Sequence, residues 1–190
     1  MNNCFYENIT FTENDKEQLS SISDAEFEAC HFESVNFTEL KLRNIKFIDC
    51  TFLKCNLNNI NLKSCTLRDA KFVGCKMIGI NWCECQTIIN PEFIDSQLDY
   101  SVFQGLNLTK VKFDRSSLCE VDFSDANITK ASFCDTILKN AQFLNANLSE
   151  ADLRGARDYF IDVRATKVKK AKFSMPEAMA LFDPLEIIVE

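Results

Sequence analysis

Glycine and proline are scarce in this chain. Four glycines and three prolines in 190 residues are too few for a loop-rich fold, which draws on both at its turns. Their shortage predicts corners built in a conformation that ordinary residues tolerate. Histidine occurs once, at His31, and Cys83-Glu84-Cys85 does not have zinc-ligand spacing. There is no G-x-S-x-G, no glycine-rich phosphate loop and no paired acid in an evident cleft, so no catalysis, metal or cofactor is expected. No stretch of eighteen apolar residues is present, and no basic, apolar leader with a small-residue cleavage site. A membrane span and secretion are therefore not expected, and a cytoplasmic location is. Bases are in deficit, 21 against 28 acids, for a net charge of −7 and a pI near 4.9. That balance argues against direct nucleic-acid binding, which wants a basic footprint.

What the chain does have is a period of five. Every fifth residue from Phe93 to Leu153 is large and apolar, thirteen of thirteen, with Phe alternating with Leu or Ile as far as Leu148. Twelve further centres run from Phe27 to Trp82. Two positions before many centres stands a small residue, such as Ala126, Ala131, Ala141, Ala146 and Ala151. A period of five fits neither a helix nor an isolated strand. It requires a chain that turns a corner every five residues, which is an all-β solenoid. The cysteines Cys4, Cys30, Cys50, Cys55, Cys65, Cys75 and Cys85 fall in the small inward slot. There they read as reduced packing residues, although the pairs twenty apart (30/50, 55/75 and 65/85) would stack closely enough for a disulfide or metal contact.

The period breaks in three places. Residues 12–24, TENDKEQLSSISD, are polar and acidic and read as an excursion from the wall, with a helical turn around Lys16–Leu19. One residue is inserted within 83–92, where Thr87 fails as a centre and Pro91 sits. Beyond residue 173, Ser174-Met175-Pro176-Glu177 reads as a helix start. The helix continues through Phe182 and stops at Asp183-Pro184, and Leu185–Val189 reads as a short strand. The expected organisation is thus a solenoid over 1–173 and a helix–strand element over 174–190.

The unit, seen in Ala126-Asn127-Ile128-Thr129-Lys130 and Ala151-Asp152-Leu153-Arg154-Gly155, resembles the A(D/N)LXX repeat of the pentapeptide-repeat family from about Ala25 to Phe173. The resemblance implies a right-handed quadrilateral β-helix with four units to a coil. Residues twenty apart would then lie over one another. Phe93, Phe113 and Phe133 would form one aromatic column and Phe103, Phe123 and Phe143 the opposite one. The Asn-x-Ser/Thr sequons at Asn36, Asn107, Asn127 and Asn147 are written by the repeat itself and carry no evidence of glycosylation.

The length, the early acidic excursion and the Pro-led helix with its apolar tail are similar to the Qnr and MfpA branch, which protects type II topoisomerases. That resemblance implies a homodimeric, DNA-mimicking rod that binds DNA gyrase or topoisomerase IV and confers quinolone or toxin resistance. An interaction scaffold with another partner is the alternative. On the first reading the contact acids are Glu92, Asp95, Asp99, Asp114, Asp122, Asp125 and Asp135. Asp15, Glu17 and Leu19 of the excursion form a loop contact. Met179, Leu181, Phe182, Leu185, Ile187 and Ile188 form the dimer interface, and the same apolar tail can instead, or as well, cap the last coil.

Charge along the chain is banded. Residues 1–40 carry nine acids and one base, residues 41–76 eight bases and two acids, and residues 153–173 seven bases and two acids.

Overall fold

Each five-residue unit places its centre inward and its neighbours outward, then turns. The computed structural model, which describes residues 4–20 and 22–187, stacks these units into four walls and about eight turns. Wall one is a five-stranded parallel sheet of Cys4–Glu7, Ala25–Glu28, Lys46–Ile48, Thr66–Arg68 and Thr87–Ile89. Wall two holds Thr10–Thr12, His31–Glu33, Thr51–Leu53, Lys71–Val73 and Glu92–Ile94. From there onward the walls continue as single parallel bridges between residues twenty apart, such as Glu92 with Lys112, Gln97 with Ser117, Val102 with Asp122 and Asn107 with Asn127. Wall three is centred on Phe37, Leu57, Met77, Leu98, Leu118 and Leu138. Wall four is centred on Leu42, Leu62, Trp82, Phe103, Phe123 and Phe143.

The core is built from rings. On wall two, Phe11, Phe32, Phe52, Phe72, Phe93, Phe113 and Phe133 stack with centroids 4.6–5.4 Å apart and planes within 17°. On wall four, Trp82, Phe103, Phe123 and Phe143 stack at 5.3–5.5 Å. The two columns meet edge to face across the interior, as in Phe103 against Phe113 at 5.6 Å. Offset stacks along the axis and T-shaped contacts across it are both favoured by the ring quadrupole. The aromatic columns expected from Phe93 and Phe103 are thus present, and they touch.

The corners differ from the sequence expectation. They sit at positive φ, from 48° at Asn90 to 73° at Gly155. That region disfavours any residue with a Cβ. Only four corners are glycine. Asn and Asp, which tolerate the left-handed region best, fill thirteen others, and Ala29, Lys54, Tyr100, Lys110, Arg115 and Glu120 are among the rest. The wall hydrogen bonds and ring stacks hold these residues in place. The outward Asn or Asp of the repeat adds a local tie. In ten units, from Asn36 to Asp162, it accepts the N–H two residues on. All four sequon asparagines are used this way.

Corner chemistry makes a paired prediction. A Cβ on Gly155 would collide with Asp135 Oδ1 and lie 3.3 Å from the Asp135 backbone nitrogen. Gly155→Ala will destabilise the chain by about 2 kcal/mol, whereas Ala29→Gly, at φ 51°, will stabilise it by about 0.5 kcal/mol. Thermal or denaturant unfolding of the two variants reads both signs.

The breaks are local. The excursion is ordered where described. Glu13–Asp15 form a 3-10 turn capped by Thr12, and Lys16–Ser20 form a short α-helix. The inserted residue falls between Trp82 and Ile88, in a 3-10 turn at Trp82–Glu84. It does not interrupt the rod, because Phe93 stacks on Phe72 and Phe103 on Trp82 across it. Ile88, not Thr87, pairs with Leu67 as the centre.

The tail also departs from expectation. Glu177–Leu181 and Asp183–Leu185 are 3-10 turns, and Glu186 adopts φ 57°. Leu185 and Glu186 are therefore not in a strand: the turn carrying Pro184 and the left-handed Glu186 interrupt any extended run. Ile188 and Val189 lie outside the described residues.

The cysteines are free. Cys30, Cys50, Cys55, Cys65 and Cys75 are buried, but Cys4 is exposed at the open end and Cys85 is half-buried at the register break. Burial pushes the Cys50 and Cys85 thiols up to about 12, which keeps both protonated and unreactive at neutral pH.

Candidate partner-binding surface

Which wall an outward residue occupies depends on its count within twenty, and the candidate acids divide accordingly. Glu92, Asp95, Asp114 and Asp135 lie on wall two, Asp122 and Asp125 on wall four, and Asp99 on wall three. They form no single acidic stripe.

Two of the seven are neutralised. Glu92 pairs with Lys112 at 2.7 Å, and Asp95 takes both forks of Arg115 at 2.7 and 2.9 Å. The guanidinium holds the Asp95 carboxyl below its usual range, and Glu92 raises the Lys112 amine. Asp99 accepts Ser117 Oγ at 2.6 Å and the Cys119 N–H at 2.9 Å. Asp114 repeats the motif on wall two, with Ser132 Oγ and the Cys134 N–H of its own next coil. These contacts come from neutral donors, so the negative charge remains. Asp122 caps its own turn through the Ser124 N–H at 2.8 Å, and Asp125 accepts from the Asn145 amide at 3.1 Å. Asp135 stands exposed at a corner.

Pairing at a spacing of twenty recurs. Among the described residues, five of eight ion pairs link residues one coil apart: Glu26–Lys46, Glu92–Lys112, Asp95–Arg115, Lys130–Glu150 and Asp152–Lys172. Writing the sequence in rows of twenty exposes these pairs, a signal that counting charge by segment misses.

The loop residues are placed differently from expectation. Leu19 is only 5% exposed and packs into the core beside Ile22, Phe27 and Phe37, so it caps the first coil and presents no surface. Asp15 completes a capping box with Thr12, accepting its N–H at 2.7 Å. Glu17 is exposed.

In the tail, Ala180 and Leu181 pack against the last coil, while Phe182, Leu185 and Ile187 are exposed by 39%, 39% and 51%. Met179 is half-buried and lines a concavity of about 450 Å³ with Pro176, Phe182 and Ile187. The tail therefore covers the end of the rod with one side and leaves apolar surface on the other. No helix is long and apolar enough to cross a membrane among the described residues.

Two family models match this repeat geometry, a pentapeptide repeat region over residues 25–89 and eight copies of the pentapeptide repeat over 126–157. The chain belongs to the pentapeptide-repeat family. The right-handed quadrilateral β-helix of that family is the fold described above.

Comparison with curated proteins finds no match. Among solved structures, the chain is similar to trypsin-treated QnrB1, a plasmid-mediated fluoroquinolone resistance protein, with a TM-score of 0.61 at 15% identity, covering 99% of this chain and 98% of that one. Full-length QnrB1 gives 0.53 at 15% identity, covering 96% and 100%. HetL, a pentapeptide-repeat protein involved in heterocyst differentiation regulation in the cyanobacterium Nostoc, gives 0.60 at 16% identity, covering 88% and 84%. At these identities the likeness establishes the fold.

Proposed function

We propose that this pentapeptide-repeat protein is a non-catalytic, DNA-mimicking rod that occupies the DNA-binding surface of a type II topoisomerase, DNA gyrase above all, and protects the enzyme from a quinolone or a peptide toxin. The observation that carries this reading is the extent of the QnrB1 likeness, 99% of one chain on 98% of the other, which includes the tail beyond the last coil. Two features accord with it. Asp99, Asp114, Asp122, Asp125 and Asp135 face outward and make no ion pair among the described residues. The apolar side of 174–190 offers an isologous surface for a second copy, with Met179, Phe182, Leu185 and Ile187 at the described contact and the solenoid of 1–173 as each arm. A cytoplasmic location follows from such a partner. An interior filled by stacked rings accords with a role in binding.

The second reading is a scaffold for a different protein. The neutralised pairs Glu92–Lys112 and Asp95–Arg115 favour it, because a phosphate mimic needs those charges free.

Gyrase supercoiling with and without ciprofloxacin separates the two readings. Micromolar protein will inhibit supercoiling or restore it in the presence of drug, and it will elute as a dimer on gel filtration. Neither inhibition nor protection would remove the topoisomerase reading and leave the scaffold.

A further inference from the structure

The basic band at residues 41–76 has no role in either reading, and on wall four it coincides with a gap in the solenoid. Where wall four is closed, each coil is zipped to the next by three backbone bonds. Phe103 N–H donates to Asp122 O at 2.8 Å, Gly105 to Ser124 at 2.9 Å, and Asp122 back to Ser101 at 3.0 Å. The equivalent donors three coils earlier are Leu42, Asn44 and Asn61. Among the described residues, none of these N–H groups meets a backbone acceptor, and neither do those of Leu62 and Ser64 toward the following coil. No bridge links residues 41–44 to 61–64, although wall three is bridged at the same height through Asn36, Asn56 and Lys76.

Arg43 and Lys63 fall twenty residues apart, base over base. The two coils enclose a concavity of about 430 Å³ lined by Leu40, Lys41, Leu42, Arg43, Asn61 and Lys63, with Ser64 at its edge. Lys41, Arg43 and Lys63 make no ion pair among the described residues. The acids that flank the region are engaged elsewhere: Asp24 with Asn44, Glu39 with Lys16, and Glu84 with Asn81.

We propose that this unzipped section of wall four is a docking site for an extended acidic peptide segment of a partner protein, bound by strand addition with carboxylates at alternate positions. An open parallel wall presents both N–H and C=O groups, which suits another backbone. A free phosphate would use only the donors. Outward residues two apart on an extended chain are separated by about 6.6 Å, so Lys41 and Arg43 match the carboxylates of an acid-x-acid sequence, and Lys63 lies one coil away. Charge complementarity selects the segment, and the freed backbone orients it. The site is independent of what the distal acids bind.

Two measurements on the full chain test the proposal. In the free protein, the amides of Leu42, Asn44, Leu62 and Ser64 will exchange with deuterium far faster than those of Phe103, Gly105, Phe123 and Asp125 on the same wall. Equal protection would overturn it, since the wall would then be closed. In nitrogen-15 spectra, a six-residue peptide alternating Glu and Thr will shift the same four amides. The glutamine counterpart will not, and the double variant Lys41→Gln/Arg43→Gln will weaken binding by about 10- to 100-fold. Both side chains are exposed and unpaired, so the variant keeps the fold. Equal binding of the glutamine peptide, or the same shifts at the same concentration from pyrophosphate alone, would refute a peptide site; the latter would mark a general anion site.

Discussion

Phe113→Ala will lower stability by about 3–5 kcal/mol, the range for deleting a buried phenylalanine, with an expected fall in melting temperature of roughly 10–15 °C for a chain of this size. Phe113 is fully buried. It stacks on Phe93 at 5.3 Å and Phe133 at 5.1 Å, and takes edge contacts from Phe103 at 5.6 Å and Phe123 at 5.5 Å. Truncation removes the ring from both directions of the lattice at once, and the rigid corners on either side prevent the coil from collapsing into the void. Phe113→Leu is the control. Leucine fills the same slot on walls one and three, so that variant should lose only about 1–1.5 kcal/mol. Contacts in a solenoid reach only adjacent coils, and damage at the middle of the stack should separate the unfolding of the two halves. Denaturant melts followed by Trp82 fluorescence and by total backbone signal will then cease to coincide. A loss below about 1 kcal/mol for the alanine variant would show that the ring column is not a main source of stability.

That column was readable from the sequence because a period of five, once placed on four walls, leaves no freedom about which residues face inward. The register break was readable as an insertion within 83–92, but its position between Trp82 and Ile88 needed the pairing of Ile88 with Leu67. The corners were misjudged for a physical reason. Scarcity of glycine implied ordinary backbone angles, whereas repetition allows most corners to be held at positive φ by the wall bonds beside them, whatever the side chain. The tail misled through local propensity. Leu185-Glu186-Ile187-Ile188-Val189 has the composition of a strand, yet the turn carrying Pro184 runs through Leu185, and the next residue is left-handed. Leu19 misled in the same manner: within an acidic segment it looked like a contact, but the excursion replaces half of the first coil and needs an apolar residue to close it. The acids were identified correctly as outward. Their neutralisation depends on a partner twenty residues away, and no local window contains that information.

Those partners decide how the candidate acids should respond to mutation if the rod meets a topoisomerase through charge. The combined variant Asp122→Asn, Asp125→Lys and Asp135→Lys removes or reverses three charges that make no ion pair among the described residues. An asparagine side-chain oxygen in place of the Asp122 carboxylate would keep the turn cap to the Ser124 N–H. Lysine is acceptable at the other two sites because Lys110 and Lys130 already occupy corners at φ 65° and 59°. Placing like charge against a basic DNA-binding surface costs several kcal/mol, so this variant should inhibit gyrase roughly 100-fold less well. The effect should shrink at high salt as screening weakens the wild-type contact. Glu92→Gln with Asp95→Asn makes the opposite prediction. Lys112 and Arg115 already cancel those charges, and exposed pairs contribute about 0–1 kcal/mol, so inhibition should change less than about threefold. Two equally weakened variants would mean that the pairs open on binding. Two unaffected variants, with gyrase still inhibited, would mean that the rod is recognised by shape or by its tail and not by its acids.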